Sequence, residues 1–219
     1  MGAALFSQTG AMYDTMCSKM FCVTRKRGRR HVRVISGSAK GRALKAVPGT
    51  GTRPTTDKVK EALFSMIGPY FDGGEALDLF AGTGGLGIEA LSRGMARAVF
   101  VDSDRKAVET VRANAAAAKV EGRAEIYRND AMLALKALAK RERAFDLVFL
   151  DPPYRMKDAP EYLLYMEANE LLRDGATAVV EHEASHAYPD AFGRFALRRR
   201  ADYGETAVSI YNYAKERDA

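Results

Sequence analysis

Cysteine is scarce in this chain of 219 residues, with only Cys17 and Cys22. That argues against a disulfide scaffold and is compatible with a reducing, cytoplasmic setting. One pair spaced five apart, with no other ligand type clustered near it, makes a poor metal site, and no metal is expected. No run approaches the roughly 18 apolar residues of a membrane span, so no membrane partner is expected. The N-terminus does not read as a good signal peptide: Gln8, Thr9 and Asp14 interrupt it, and its charges follow the apolar part. There is no internal repeat and no low-complexity segment. Acids are nearly absent from residues 1–45, which hold ten Lys/Arg against Asp14 alone, about +9 by count. The whole chain has 34 basic and 28 acidic residues, so the remaining 174 hold 24 and 27, or −3. A near-neutral body with a basic arm suggests a polyanionic partner met by the arm; a solvated tail is the bland alternative.

What is present reads as one α/β domain with a small appendage. Hydrophobic content of 47% and charged content of 28% suit a globular protein of this length. Residues 1–30 read as a poorly ordered leader, with Met20 as an alternative start, 31–50 as a basic β-hairpin arm and 51–216 as the main domain. In the arm, two short β runs at 32–35 and 43–47 flank Gly37 and Gly41, with Lys40 and Arg42 near the turn. Cations there suit phosphate contacts, which position without specifying. Val59, Leu63, Phe64, Ile67 and Tyr70 recur at helical spacing behind Thr56 or Asp57 as a cap. Strands at 76–80, 98–101, 124–127, 145–150 and 176–180 then alternate with helices, the last of them at 159–172. Two final strands, 194–202 and 206–213, join at Tyr203-Gly204. This order predicts a doubly wound, mostly parallel seven-stranded sheet with one antiparallel strand from the terminal hairpin.

The chemistry concentrates at strand ends. Residues 145–150 are an apolar strand that stops at Asp151-Pro152-Pro153-Tyr154, where neither proline can donate to a ladder. In open α/β sheets, ligands bind just beyond such carboxyl ends. An exocyclic base amine is a poor nucleophile, and the Asp151 carboxylate with the Pro152 carbonyl could hold it while Tyr154 stacks on the base. An ordinary proline turn is the alternative. Upstream, Gly82, Gly84 and Gly87 spell G-x-G-x-x-G between a strand and a helix. Asp102 ends the next strand, where an acid can bond ribose hydroxyls. This suits a dinucleotide or S-adenosylmethionine. Asp78, beside the glycine loop, favours the cationic sulfonium over a pyrophosphate, and Asp130 can accept from an adenine amine. Each also has a plain role: the glycines turn the chain, and Asp102 or Asp130 caps a helix. His182-Glu183-Ala184-Ser185-His186 spells the zinc-protease motif, but it follows a strand directly and precedes Pro189, so it reads as a strand end with surface histidines.

Together, Asp78-Leu-Phe-Ala-Gly-Thr-Gly84, Asp102, Asp130 and Asp151-Pro-Pro-Tyr154 resemble the motifs of class I S-adenosylmethionine-dependent amino-methyltransferases. With Arg33-Val-Ile-Ser-Gly37, Lys40-Gly-Arg42 and Arg53-Pro-Thr-Thr-Asp57, about 31–213 resembles the 16S ribosomal RNA guanine-N2 methyltransferase family (RsmD). The resemblance implies S-adenosylmethionine bound by Asp78, Phe80, Gly82, Thr83, Gly84, Asp102, Ser103, Asp130 and Ala131. It implies an RNA surface that includes Arg33, Lys40, Arg42, Arg53 and Thr55. Asp151, Pro152 and Tyr154 would do the chemistry on a guanine of the small ribosomal subunit or its assembly intermediate, in a monomeric cytoplasmic enzyme. DNA adenine-N6 and protein glutamine methyltransferases share the core motifs and are the alternatives.

Overall fold

The computed structural model describes residues 32–49, 57–152 and 158–215. The leader with its two cysteines, and the predicted site residues Arg53, Thr55 and Tyr154, lie outside them, as does Thr56. Apolar runs give the central parallel strands of the sheet, as strands buried on both faces must, while the edge strand Ala124–Arg128 is only partly buried and carries Glu125 and Arg128. The parallel strands are β3 (Glu75–Asp78), β4 (Arg97–Asp102), β5 (Ala124–Arg128), β6 (Phe145–Leu150) and β7 (Leu172–Glu183). They lie in the spatial order β5-β4-β3-β6-β7. One face packs on α1 (Asp57–Ile67), α2 (Gly85–Ser92) and α3 (Arg105–Ala118), through Phe64, Ile88, Phe100, Val111 and Phe149. The other packs on α4 (Ala131–Ala139) and α5 (Ala159–Ala168), through Leu135, Val148 and Leu163.

The sheet has eight strands among the described residues, not the seven expected. β10 (Thr206–Tyr213) runs antiparallel to both β7 and β9 (Phe195–Tyr203), and the two-residue β8 (Ala191–Phe192) closes the edge. Ring packing makes that extra strand: Phe192 stacks on Phe195 with centroids 5.3 Å apart and meets Tyr211 at 5.1 Å. Two strands, β8 and β10, therefore oppose the parallel set where one was expected. The helix expected to reach 172 stops at Ala168, because Glu170 takes a left-handed φ of 55° and Leu172 already begins β7.

The arm hairpin is present but short. β1 (Val32–Arg33) and β2 (Ala43–Leu44) pair over two residues each. The chain leaves the ladder because side chains of the main domain take its backbone groups. The Glu89 carboxylate accepts from the N–H groups of Ile35 at 2.8 Å and Ser36 at 2.9 Å. Glu89 is fully buried and also pairs with Arg93 at 2.8 Å and the buried Lys60 at 3.3 Å. Val32, Val34 and Leu44 join the core on this face.

Candidate active site

The strand order makes a topological switch beside β3, which has β4 on one flank and β6 on the other. The chain leaves β3 toward β4 and β5, then returns to build β6 and β7 on the opposite side, which opens a crevice at the carboxyl ends. Asp78 ends β3 in register with Phe100 of β4 and Phe149 of β6. Its side chain is 3% exposed, and its Oδ2 accepts from the Gly87 N–H at 3.0 Å. Burial pushes the Asp78 carboxyl up to about 7; the Gly87 N–H opposes this, and the nearby negative charge of Asp102 adds to it. The fixed negative charge expected beside the loop is thus a group that titrates near neutrality.

The glycine loop is held by carboxylates. Gly82 and Gly84 take left-handed φ values of 52° and 74°, which other residues adopt only with strain. A Cβ at Gly87 would lie 2.4 Å from Phe100 Cε1, so glycine lets α2 press onto β4. Asp102 Oδ2 accepts from the Gly82 N–H at 2.8 Å, and its Oδ1 accepts from the Asp104 N–H at 2.8 Å. Asp104, not Asp102, caps α3 by accepting from Lys106 N–H. The Thr83 carbonyl accepts from Asn114 Nδ2 at 2.8 Å, and Phe80 sets its ring edge-on to Tyr162 at 5.6 Å. Asp130 caps α4 through Oδ1, which accepts from Met132 and Leu133 N–H at 2.9 and 3.1 Å. Ser103 is exposed after β4, and Ala131 is the buried first residue of α4.

Asp151 and the buried Pro152 follow β6 directly, two and three positions beyond the Phe149 that pairs with Asp78. The Asp151 carboxyl is held well above the ordinary carboxylate range, first by burial and then by the negative charges of Glu181 and Asp78. Glu181 sits near the end of β7, one strand over, and the sequence reading missed it. Its signal was positional: an acid breaking the apolar run 178–180 at a carboxyl end. Asp78, the glycine loop, Asp102 and Asp151 thus share one end of the sheet, with Asp130 at the end of β5 on its flank. The arm cations behave differently. Lys40 and Arg42 are exposed, and Arg33 is ion-paired to Asp57 at 2.8 Å. The arm meets the loop through Lys45, whose N–H donates to the Asn114 amide oxygen at 2.7 Å.

The histidine motif is not helical. His182 ends within β7, its Nε2 lies 2.9 Å from Ser209 Oγ, and its ring meets those of His186 and Tyr188 edge-on. His182 is buried rather than a surface residue, because that pairing and the ring cluster cover it. The two imidazoles do not share the helix face that the zinc motif needs.

A family profile described as "Conserved hypothetical protein 95" matches residues 32–212. The chain is similar to the putative rRNA methyltransferase YlbH of Bacillus subtilis, 53% identical over 180 residues that cover 82% of this chain and 98% of that one. Ribosomal RNA small subunit methyltransferase D of Escherichia coli is 35% identical over 184 residues, covering 84% and 91%. The solved structure of the putative methyltransferase yhhF from Escherichia coli overlays with a TM-score of 0.72 at 35% identity, covering 85% and 99%. The chain belongs to this methyltransferase family, RsmD. The match spans the arm as well as the sheet, so both are family features.

Proposed function

We propose that the protein transfers a methyl group from S-adenosylmethionine to the exocyclic N2 amine of a guanine in small-subunit ribosomal RNA. The observation that carries the reading is the juxtaposition of Asp151-Pro152 with the glycine loop on adjacent strands β6 and β3, at the switch point. The described residues fit the cofactor. The loop turns its backbone through left-handed glycines, and a Cβ at Gly82 would meet nothing nearer than the Phe80 carbonyl at 4.0 Å. The carboxyls of Asp78 and Asp102 hold the loop, with Asp130 on its flank. Asp78 would answer the cationic amino-acid end, Asp102 the ribose hydroxyls and Asp130 the adenine amine. S-adenosylmethionine supplies an electrophilic methyl group on a sulfonium.

The protein's own residues do the rest by positioning and electrostatics. The Asp151 carboxylate and the Pro152 carbonyl accept hydrogen bonds from the two amine hydrogens. This localises the nitrogen lone pair and aims it along the line of displacement. Tyr154 would stack on the ring. As positive charge grows on nitrogen, Asp151 stabilises it; once the carbon–sulfur bond has given way to the carbon–nitrogen bond and S-adenosylhomocysteine is left, the now acidic amine would give its proton to the Asp151 carboxylate. Asp151 must be ionised to do this, while burial first, and then the charges of Glu181 and Asp78, resist its ionisation. Asp151 would ionise more readily with a cationic cofactor held at the loop, which would prepare it as acceptor. Lys40 and Arg42, with Arg33, would meet RNA phosphates from the arm. The enzyme acts as a monomer in the cytoplasm.

The test is binding followed by transfer. S-adenosylhomocysteine should bind with a Kd of ~1 μM, about −8 kcal/mol. Label from the cofactor should then pass to RNA of small subunits taken from a strain lacking the gene. Calorimetry that shows NADH binding instead, or label appearing only in DNA or protein, would overturn the reading.

A further inference from the structure

One buried side chain joins the arm to the glycine loop. Asn114 lies on α3 with 0% exposure, in the apolar stripe formed by Ala107, Val111, Ala115 and Ala118. Its Oδ1 accepts from Lys45 N–H at 2.7 Å. Its Nδ2 donates to the Lys45 carbonyl at 3.0 Å and to the Thr83 carbonyl at 2.8 Å. Both amide hydrogens and the oxygen are therefore used. Lys45 directly follows β2 of the arm, and Thr83 lies between Gly82 and Gly84. A buried amide is costly unless fully paired, whereas alanine would continue the stripe without that demand. Asn114 satisfies the demand by tying together two segments 38 residues apart in sequence.

Among the described residues three side chains hold the loop, besides the Ala81 N–H that donates to the Val101 carbonyl of β4, and they lead to different places. Asp102 holds the Gly82 N–H from β4, Asp78 holds the Gly87 N–H from β3, and Asn114 holds the Thr83 carbonyl. The first two tie the loop to the sheet. The third ties it to the arm. We propose that Asn114 is a positioning residue that couples the arm to the cofactor loop, so that RNA engagement and cofactor binding strengthen each other. This rests on the reading that the arm meets RNA and the loop holds S-adenosylmethionine. RNA bound to the arm would bias Lys45, and through Asn114 the Thr83 carbonyl, toward the arrangement the cofactor selects. Because the coupling is one free energy between two sites, the cofactor must tighten RNA binding by the same factor.

The experiment uses the full chain, small ribosomal subunits from a gene-deleted strain, and S-adenosylhomocysteine. Subunit Kd is measured with and without saturating S-adenosylhomocysteine. The wild type should bind subunits about fivefold tighter or more with the ligand present, within the usual range of coupling. Asn114→Ala should reduce that factor to about one, with ligand-free subunit binding nearly unchanged. Asn114→Asp is the second variant, and it also covers the case in which the alanine variant does not fold. It keeps the acceptor for Lys45 N–H and loses both donors while ionised, so coupling should be absent at the alkaline end of a pH series, above the raised titration of this buried carboxyl. Protonation at lower pH restores one donor, so coupling should return there, without a matching change in the wild type. A merely structural role would lower the melting temperature and leave the coupling factor alone. A wild type that binds both partners without coupling, or an alanine variant that keeps the factor, overturns the proposal and spares the functional reading. A wild type that binds neither overturns both.

Discussion

Replacing Asp78 by asparagine should make the ligand-free protein more pH-tolerant while crippling cofactor binding. The carboxyl is buried, with a pKa raised from 3.8 to about 7. A raised carboxyl pKa means that folding disfavours the ionised form. Asp78 therefore contributes no penalty below pH 3.8, an increasing one as the unfolded chain ionises first, and a constant one once pH passes about 7. The full interval is worth about 4 kcal/mol, a large share of the ordinary 5–15 kcal/mol of a folded domain. Asparagine keeps an acceptor for the Gly87 N–H and cannot ionise. It also buries an amide donor that needs a partner, which costs about 1–3 kcal/mol at every pH. The pH-dependent part isolates the carboxyl: between pH 5 and pH 8 the variant should gain about 3 kcal/mol on wild type. Urea unfolding of both proteins at the two pH values measures this difference. The Asp151 carboxyl, which burial, Glu181 and the Asp78 charge raise, is relieved in the variant and adds to the gain in the same direction. A gap that does not change with pH would refute the account of Asp78. In the same variant, S-adenosylhomocysteine affinity should fall by roughly 1.5–3 kcal/mol, the range for a hydrogen bond to a charged group.

Other outcomes follow from the same geometry. Asp151→Ala should lower the transfer rate by ~10²–10³, as loss of one preorganised electrostatic group does, with affinity for S-adenosylhomocysteine, which lacks the sulfonium charge, near wild type in calorimetry. Asp151→Asn should keep partial activity and flatten the acid limb of the rate–pH profile. That limb should lie well above the ordinary carboxylate range in wild type, because burial, Glu181 and Asp78 raise this carboxyl. Replacing Lys40 and Arg42 by alanine should weaken RNA binding and reduce its salt slope by roughly 0.7 per lost contact on single strands, measured by filter binding. Arg33 should add less, since its pair with Asp57 must first be given up. Glu89→Gln should destabilise the fold by about 3–5 kcal/mol in urea, because Lys60 and Arg93 are left as uncompensated buried charges.

The sequence displays the parts of this protein whose cause is local. Parallel strands covered on both faces show as apolar runs, so β3, β4, β6 and the 176–180 stretch of β7 are readable, and the half-buried edge strand β5 is readable from its place between two helices. The glycine loop and the proline stop after Asp151 are readable because backbone geometry demands those residue types. The shortness of the arm is not readable, since it depends on a carboxylate 54 residues from Ile35. Nor is β8, which exists because Phe192 finds Phe195 and Tyr211. The near-neutral titration of Asp78 depends on burial, which no spacing displays. Asn114 lies between these cases: a polar residue breaking the stripe of α3 flags a buried partner without saying which one.

The central claim is tested most directly by the nucleosides of small-subunit RNA. RNA from wild-type cells and from a gene-deleted strain is digested and analysed by mass spectrometry, then the deleted strain's subunits are treated with pure enzyme and S-adenosylmethionine. The account predicts one N2-methylguanine missing from the deleted strain, restored by the wild-type enzyme and not, at equal times, by Asp151→Ala. N6-methyladenine as the product, an unchanged nucleoside profile in the deleted strain, or full restoration by Asp151→Ala would contradict it.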